Sequence, residues 1–366
     1  MNIMPRSLSE AGSALRTTQH LRRGGLTPRQ IARAVATGEL VRLRPGWYAQ
    51  GERWRLAAPE ARQLMAVQAA HAAQAESAKR AGQGSPRVFS HRSAATLHVL
   101  PVWSGWMRHG REPVADTTGT VHLLLHPAAS GTFGDRVVRH RGECSSAEVV
   151  EIAGFACTSA DRTLADLSAT EPFAVALACA DQQVRVEAAR DRAVDVELWE
   201  SWRKRMLAYA EARKGKRGVA ALRALARLAD PRAESPLESV SRLRALQLGL
   251  DVQLQVRVPA EDGGTLHLDF VFAAAGVFGE CDGRSKYSDP DFLRGRTPEQ
   301  VVEAERRRHN WVSGSTGMAG VRWEARHVVT VARFAERMRR FQVPFPGRAS
   351  RAYGPEVEAF LNALAG

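Results

Sequence analysis

The run from Leu266 to Tyr287 constrains the fold more strongly than any other part of this chain. It reads LHLDFVFAAAGVFGECDGRSKY, in which two short apolar runs are separated by a turn signal at Ala275-Gly276. Runs of this length and composition are typical of neighbouring β-strands. Asp269 lies within the first run, and Glu280 and Asp282 lie at the end of the second. Because side chains alternate along a strand, we expect Glu280 and Asp282 on the same face.

These carboxylates are flanked by apolar residues, where an unpaired charge costs several kcal/mol. Two acids on one face, with a third from the adjacent strand, provide the oxygen ligands that a hard divalent cation prefers. The pattern therefore predicts a metal site formed by Asp269, Glu280 and Asp282. A metal held in this way activates water and stabilises charge on a phosphate. The alternative is a simple turn, because a pair such as Asp282-Gly283 favours hairpins.

The same residues resemble a known group of enzymes. Asp269, followed by ECDGRSKY from Glu280 to Tyr287, is similar to the core of the PD-(D/E)xK nuclease superfamily, in its branch of very-short-patch-repair-like endonuclease domains. The resemblance implies that the acids bind Mg²⁺ or Mn²⁺ and that a lysine supports the attacking water or the leaving phosphate. Asp282 occupies the usual lysine position. Relatives that read DGxxKY carry their lysine four residues later, which is Lys286 here.

A further acid is expected from the helix that precedes these strands. The residues Glu234-Ser235-Pro236-Leu237-Glu238 have the form of a helix start. In the same resemblance, a glutamate within ESPLES-like text completes the acidic cluster, and Glu238 is the first choice and Glu234 the second. The structural alternative is that a glutamate in the first turn is favoured by the helix dipole.

Two arginines downstream of the strands complete this predicted site. Arg308 and Arg322 resemble positions near the EKxRE and VxRWTW motifs of the same relatives, which implies contacts with DNA phosphates. Arginine suits this role because its guanidinium can bind phosphate through two hydrogen bonds. Arg306 replaces the usual lysine of the first motif and His309 replaces its second glutamate, and a solvated basic helix face is the alternative. The predicted order of elements is α-β-β-β-α-β, that of a restriction-endonuclease-like core.

Near the amino terminus, Thr27-Pro28-Arg29-Gln30 combines a capping residue, a proline at the first helical position and a glutamine that can bond back to the cap. A predicted strand, the turn Arg44-Pro45-Gly46 and a second strand follow. Helices followed by a small β-hairpin are the outline of a winged helix-turn-helix, whose recognition helix enters the major groove. The expected DNA contacts are Arg29 and Arg33 on the helix and Arg42 and Arg44 on the wing.

The segment LTPRQIARAVATGELVRLRPGWYA is also similar to the amino-terminal domain of the AbiEi-like (abortive-infection type IV) antitoxins. Two later segments, SHRSAA and TSADRTLADL, resemble the middle part of that family. The resemblance implies a domain that binds DNA and represses its own operon, and a cognate toxin as a further partner. A winged helix that serves only protein contacts is the alternative.

Several histidines gather in the middle of the chain, but none has a ligand spacing such as HExxH, so we interpret them as structural residues. They are His91, His98, His122, His126 and His140. Arg162 is interpreted as the ion-pair partner of Asp161 and Asp166 at a helix start. The basic, glycine-broken stretch from residue 213 to 218 is the predicted linker.

At 366 residues the chain is long enough for two or three domains. Its formal charge of +13 favours a polyanionic partner, and nucleic acid, most of all DNA, is the first choice. Four cysteines without CxxC spacing predict reduced thiols in the cytoplasm. The sequence shows no signal-peptide pattern and no apolar run of bilayer length, so no membrane partner is expected.

Together these patterns predict an α/β multi-domain protein. The expected parts are a winged helix-turn-helix at 1–56, an α/β middle region at 57–212, a basic linker and helix at 213–230, a PD-(D/E)xK nuclease-like domain at 231–345 and a C-terminal tail at 346–366. The predicted function is DNA binding with metal-dependent cleavage of a phosphodiester. One alternative is a non-enzymatic antitoxin or transcriptional repressor with a degenerate nuclease fold. Another is a protein-interaction module whose basic charge is incidental.

Overall fold

The computed structural model describes residues 8–81, 87–102, 107, 119–125, 136–282 and 297–365. The fold is mixed α/β, with helices and four sheets in these residues. Backbone contacts divide the chain into two compact units, Met1–Trp103 with Arg111–Leu167 and Ser104–Gly110 with Ser168–Gly366. The finer division into domains stays a prediction. Among the described helices, none combines the length and apolar character that crossing a bilayer requires.

The first unit begins with short helices around a small antiparallel sheet of order β1-β3-β2. Its elements are α1 (Leu8–Ser13), β1 (Leu15–Thr17), α2 (Thr18–Arg23), α3 (Pro28–Ala36), β2 (Leu40–Arg44), β3 (Trp47–Gln50) and α4 (Gly51–Leu56). Thr27 caps α3 as predicted, since its hydroxyl accepts from Gln30 N at 3.3 Å and Gln30 Oε1 accepts from Thr27 N at 2.8 Å. Ile31 of α3 packs with Leu21 and Tyr48, which fixes the helix against the sheet.

The rest of the first unit is a mixed sheet with strand order β6-β5-β4-β8-β7 and its helices. The elements are α5 (Pro59–Ala81), β4 (Val88–Phe89), α6 (His91–Leu97), β5 (Val121–Leu125), β6 (Val137–Arg141), β7 (Val149–Ile152), β8 (Phe155–Thr158) and α7 (Ala160–Thr170), whose residues from Ser168 onward belong to the second unit. Val67 of α5 packs on Phe89, Val121 and Leu123 of the sheet, and all four are buried. This core supports the histidines that follow β4 and lie on β5 and β6.

The second unit begins with helices. They are α8 (Phe173–Ala188), α9 (Val196–Ala212) and α10 (Val219–Leu228), with the short strands β9 (Ala189–Arg190) and β10 (Ala193–Val194) between α8 and α9. The basic stretch between α9 and α10 is a tight turn. Gly218 in this turn has a φ of +82°, and a Cβ there would lie 2.6 Å from the Cα of Ala169. Only glycine meets both demands without strain.

The remainder of the second unit contains the elements expected to carry the site. They are α11 (Pro236–Gln247), β11 (Gln253–Pro259), β12 (Thr265–Phe272), β13 (Val277–Asp282), α12 (Pro298–Thr316), β14 (Ala319–Glu324), α13 (Ala325–Val328), α14 (Val331–Arg340) and α15 (Pro355–Ala365). From α11 to β14 the described order is helix, three strands, helix and strand, which agrees with the predicted order. The sheet order is β11-β12-β13-β14, and β13 and β14 are parallel while the other neighbours are antiparallel.

Aromatic packing fixes the middle of this sheet. Trp323 of β14 is 1% exposed and donates Nε1–H to Ser241 Oγ at 2.7 Å, which ties the strand to α11. The indole lies so close to Gly279 of β13 that a Cβ there would be 2.3 Å from a ring atom. Phe270 and Phe334 pack on the same indole, with centroids 5.1 and 5.3 Å away. This packing fixes the position of Glu280, which follows Gly279 on β13.

Candidate functional site

Glu280 on β13 is held by two arginines. Its side chain is 6% exposed, and Arg322, at the paired position of β14, donates from Nε and Nη2 to Oε2 at 3.1 and 2.7 Å. Arg308 of α12 places Nη2 3.2 Å from Oε1, although that oxygen has no aligned hydrogen bond in the described part of the chain. The buried charge is therefore compensated by two guanidinium groups, as its environment requires.

Arg322 connects further acids to Glu280. Its Nη1 donates to Glu305 Oε2 at 3.0 Å and lies 3.9 Å from Asp282 Oδ2. Burial acts to lower the pKa of Arg322, but its hydrogen bonds to Glu280 and Glu305 outweigh that effect and its pKa is raised. The structure thus brings together four predicted site residues, which are Glu280, Asp282, Arg308 and Arg322. Glu305 was not among the residues selected from the sequence, although it lies three residues before Arg308 on α12, a spacing that shares a helix face.

The two arginines remain accessible above the buried carboxylate. The side chain of Arg308 is 36% exposed and that of Arg322 is 31% exposed. Arg308 also donates Nη2–H to the carbonyl oxygen of His267 on β12 at 2.6 Å, which ties α12 to the sheet. Both side chains are therefore partly exposed to solvent, although Nε of Arg308 is itself buried.

A second pair of predicted acids, Glu238 and Asp269, is coupled electrostatically. Glu238 is 6% exposed and accepts hydrogen bonds from Glu234 N at 2.9 Å, Ser235 Oγ at 3.0 Å and Gln255 Nε2 at 3.2 Å. Burial and then the negative charge of Asp269 raise the pKa of Glu238 to about 7. Glu238 therefore exchanges a proton near neutral pH.

Asp269 lies beside the backbone of β13. Its Oδ2 accepts a hydrogen bond from Cys281 N at 3.3 Å, and Cys281 Sγ lies 4.0 Å from the same oxygen. Asp269 is thus next to the residue that follows Glu280. The nearest described partners of the Glu280 carboxylate, however, are Arg308 and Arg322.

The acids fit a hard cation in their chemistry. All predicted ligands are carboxylates, a cation would relieve the repulsion between Glu238 and Asp269, and Glu280 Oε1 is a buried oxygen without an aligned hydrogen bond. Across the described ranges, no group of three or more His, Cys, Asp or Glu side chains is arranged to hold a metal. A metal at Glu280 would therefore compete with the two arginines that now bind it.

The four arginines predicted to contact DNA in the first unit differ in exposure. Arg29 and Arg33 on α3 and Arg42 on β2 are exposed. Arg44 is 6% exposed and donates Nη2–H to the carbonyl oxygen of Arg136 at 3.1 Å. Burial and then the charge of Arg136 lower the pKa of Arg44 to about 10. Arg44 therefore connects the hairpin to the residue just before β6, which differs from the surface position expected for a wing residue.

Three of the histidines form a stack in the first unit. The rings of His91 and His140 have centroids 3.4 Å apart, and His122 Nδ1 lies 3.0 Å from His140 Nε2. His91 Nδ1 is 3.7 Å from Asp166, whose other oxygen accepts from Arg162 Nε at 2.9 Å. Of the two predicted partners of Arg162, Asp166 is thus confirmed. Burial is the main cause that lowers the pKa of His91 to about 2 and that of His140 to about 4. His91 and His140 are therefore neutral at pH 7.

Comparison with models of protein families gives no match, and comparison with curated proteins gives none either. The resemblances to antitoxins and to nuclease domains therefore stay predictions that rest on motifs. Two residues from those motifs and clusters, Lys286 and His126, lie outside the described residues.

Proposed function

We propose that this chain is a DNA-binding protein whose second unit cleaves a phosphodiester with a divalent metal. The observation that supports this most is the buried Glu280 carboxylate beneath the accessible guanidinium groups of Arg308 and Arg322. An acid suited to a metal, next to arginines suited to a phosphate, is the combination that such chemistry needs. The α-β-β-β-α-β order of elements is compatible with a restriction-endonuclease-like core.

In this proposal the arginines change partners when substrate binds. Arg308 and Arg322 turn from Glu280 to a phosphate of the substrate, to which each guanidinium donates parallel hydrogen bonds. Mg²⁺ or Mn²⁺ would be held by Asp269, Glu280 and Asp282, and it would supply an activated water and stabilise charge on the phosphate. The exchange leaves no buried carboxylate without a positive partner, so it avoids the cost of an unpaired buried charge.

Glu238 is the proton acceptor in this proposal. Without a bound cation, burial and then the charge of Asp269 raise its pKa to about 7. A cation on Asp269 would lower this pKa and leave Glu238 in the charged form that a general base needs. Hydrogen bonds from Ser235 and Gln255 hold its carboxylate in one orientation. Lys286 keeps the role that the family resemblance implies, which is to support the attacking water or the leaving phosphate.

For the first unit we propose a winged helix-turn-helix formed by α2, α3 and the β2–β3 hairpin. The exposed side chains of Arg29, Arg33 and Arg42 support a phosphate-binding surface there. Arg22 and Arg23 at the end of α2 are also exposed and extend this surface, although sequence analysis did not select them. A cytoplasmic location and a cognate toxin remain predictions from the sequence.

One observation favours a second candidate function, that of a non-enzymatic regulator. Asp282 occupies the position where the nuclease superfamily usually has its lysine, and Glu280 is already neutralised by Arg308 and Arg322. In that case the cluster is a structural clamp. The second unit would then hold DNA or a protein partner without cutting it.

Cleavage of supercoiled plasmid in increasing Mg²⁺ or Mn²⁺ separates the two functions. We expect the wild type to convert plasmid only when metal is present, and Asp269→Asn and Glu280→Gln to lose this activity. Glu303→Gln is the matched control, because Glu303 is 51% exposed on α12 and pairs only with Arg306 among the contacts described. Absence of metal-dependent cleavage by the wild type would leave the regulator as the remaining function. Cleavage that survives unchanged in both Asp269→Asn and Glu280→Gln would overturn the proposed metal site.

A further inference from the structure

A groove lined by basic side chains lies on the second unit, on α13 and α14, directly after β14. It is a cleft of about 190 Å³ lined by Arg326, His327, Arg333, Glu336, Arg337 and Arg340, which we call the arginine groove. We propose that the arginine groove binds the phosphate backbone of double-stranded DNA and holds the duplex for the unit that carries Glu280. This inference rests on the proposed function, since it supplies a second contact for the same substrate.

Helical spacing aligns the arginines of the groove. Arg333, Arg337 and Arg340 are separated by four and three residues, so they share one face of α14. The opposite face is anchored by Phe334 and Met338, which are fully buried. With a rise of about 1.5 Å per residue, the three arginines span roughly 10 Å. A DNA duplex carries one charge per ~1.7 Å of its axis, so this length can face several phosphates.

The groove carries more positive charge than its own acids neutralise. Arg340 pairs with Glu336 at 2.6 Å, and Arg326 pairs with Glu324 at 2.9 Å. Arg333 donates instead to the carbonyl oxygen of Arg326 at 3.4 Å. A carbonyl contact leaves the guanidinium charge in place, so Arg333 is available to a phosphate.

Arg337 has the same kind of partner and links the groove to the candidate site. Its Nε donates to the carbonyl oxygen of Arg322 at 2.8 Å, and Arg322 is the residue that binds Glu280. Burial and then the charges of Arg326 and Arg340 lower the pKa of Arg337. The cations of the groove therefore repel one another. A bound phosphate would relieve that repulsion at a place connected to Glu280 through β14.

The chemistry of the lining favours a phosphate backbone over a folded protein partner. All six lining side chains are charged or polar, whereas protein interfaces depend on buried aromatic or aliphatic anchors. A continuous polyanion needs no such anchor, because release of its counterions drives binding. An acidic protein is the competing occupant that the test below must separate from DNA.

The test is the salt dependence of duplex binding by the full chain in EDTA, followed by fluorescence anisotropy. We expect Arg333→Ala/Arg340→Ala to bind more weakly, with the slope of log K against log salt smaller by roughly 0.9 for each lost contact. Arg205→Ala/Arg223→Ala is the matched control, because these arginines pair with Glu187 and Glu211 elsewhere on the second unit. Circular dichroism and thermal unfolding verify that each variant is folded.

Two comparisons make the result decisive. In the first, Arg333→Ala/Arg340→Ala is combined with Arg29→Ala/Arg33→Ala. If the groove binds DNA independently of the first unit, the slope of log K against log salt must decrease in this background as well. The proposal would be overturned by an unchanged slope in the groove variant or by an equal decrease in the control variant. It would also be overturned if poly-glutamate competed with the labelled duplex as strongly as unlabelled DNA does. Binding is measured without metal, so it is independent of cleavage. If the groove binds DNA but the chain cleaves none when metal is added, only the proposed nuclease activity is contradicted.

Discussion

Arg322 and Glu280 occupy paired positions on the parallel strands β14 and β13, and two hydrogen bonds of 2.7 and 3.1 Å join them. The side chain of Glu280 is 6% exposed while that of Arg322 is 31% exposed, so only the arginine of the pair is accessible to solvent to any extent. This asymmetry is the basis for the proposal that Arg322 exchanges a buried acid for a phosphate of the substrate.

Removal of Arg322 should destabilise the second unit. In Arg322→Ala the buried carboxylate of Glu280 keeps only Arg308, and we expect a loss of about 2 to 3 kcal/mol in the free energy of unfolding. Urea unfolding measures it. Glu280→Gln in the same chain should recover part of the loss, because a neutral amide needs no cation. Arg326→Ala is the control, since Arg326 is 64% exposed. Equal free energies of unfolding for Arg322→Ala and Arg326→Ala would refute the prediction.

Gly279 should not tolerate even a methyl group. A Cβ at this position would lie 2.3 Å from the indole of Trp323, so Gly279→Ala should cost about 1 to 3 kcal/mol through overpacking. Gly314→Ala in α12 is the matched control because nothing lies within 4 Å of its Cβ. There we expect a gain of up to ~1 kcal/mol from helix propensity. Thermal unfolding of both variants checks the difference, and a stable Gly279→Ala would show that β14 can shift.

The stability of the second unit should depend on the protonation of Glu238. The pKa of Glu238 rises from an ordinary value of 4.5 to about 7 on folding, so the folded state holds the proton more tightly. Glu238 contributes roughly 3 kcal/mol to the free energy of unfolding below pH 4.5, and this contribution is lost as the pH rises through 7. Urea unfolding of wild type and Glu238→Gln across this range measures it. A difference between them that does not vary with pH would contradict the assignment.

The histidine stack should give the opposite dependence in the first unit. Folding lowers the pKa of His140 from 6.5 to about 4, chiefly by burial. Stability is therefore full above pH 6.5 and falls as the pH drops through 4, because the unfolded chain takes up the proton first. His140→Gln should make acid unfolding of this unit less steep. Near-ultraviolet circular dichroism during acid titration measures this steepness. The same steepness in the wild type and in His140→Gln would show that the stack does not control acid unfolding.

Local signals in the sequence were sufficient for much of the fold. The cap of α3 was predictable because Thr27 and Gln30 act within one turn, and β12 and β13 were predictable from two short apolar runs separated by a turn signal. The strand β1 was not predicted, since the three residues Leu15–Thr17 are too few to show a period.

The contacts of the candidate site depend on information that the sequence does not carry locally. The pairing of Glu280 with Arg322 requires the register of two parallel strands whose paired residues lie 42 positions apart. Family motifs selected both residues, but for separate roles and without the pairing. Arg44 was predicted in the turn of the wing, but it ends β2 with a register shift between Arg42 and Arg44, and a local sequence pattern does not reveal such an irregularity.

The most direct test of whether Asp269 and Glu280 hold a catalytic cation is Mn²⁺ binding to the complex of the chain with duplex DNA. Bound Mn²⁺ is measured as the decrease in the electron paramagnetic resonance signal of the free ion. We expect the wild type and Glu303→Gln to bind Mn²⁺ at a site that Asp269→Asn and Glu280→Gln lack. The same Mn²⁺ binding by all four proteins, or none by the wild type, would contradict a metal-dependent nuclease.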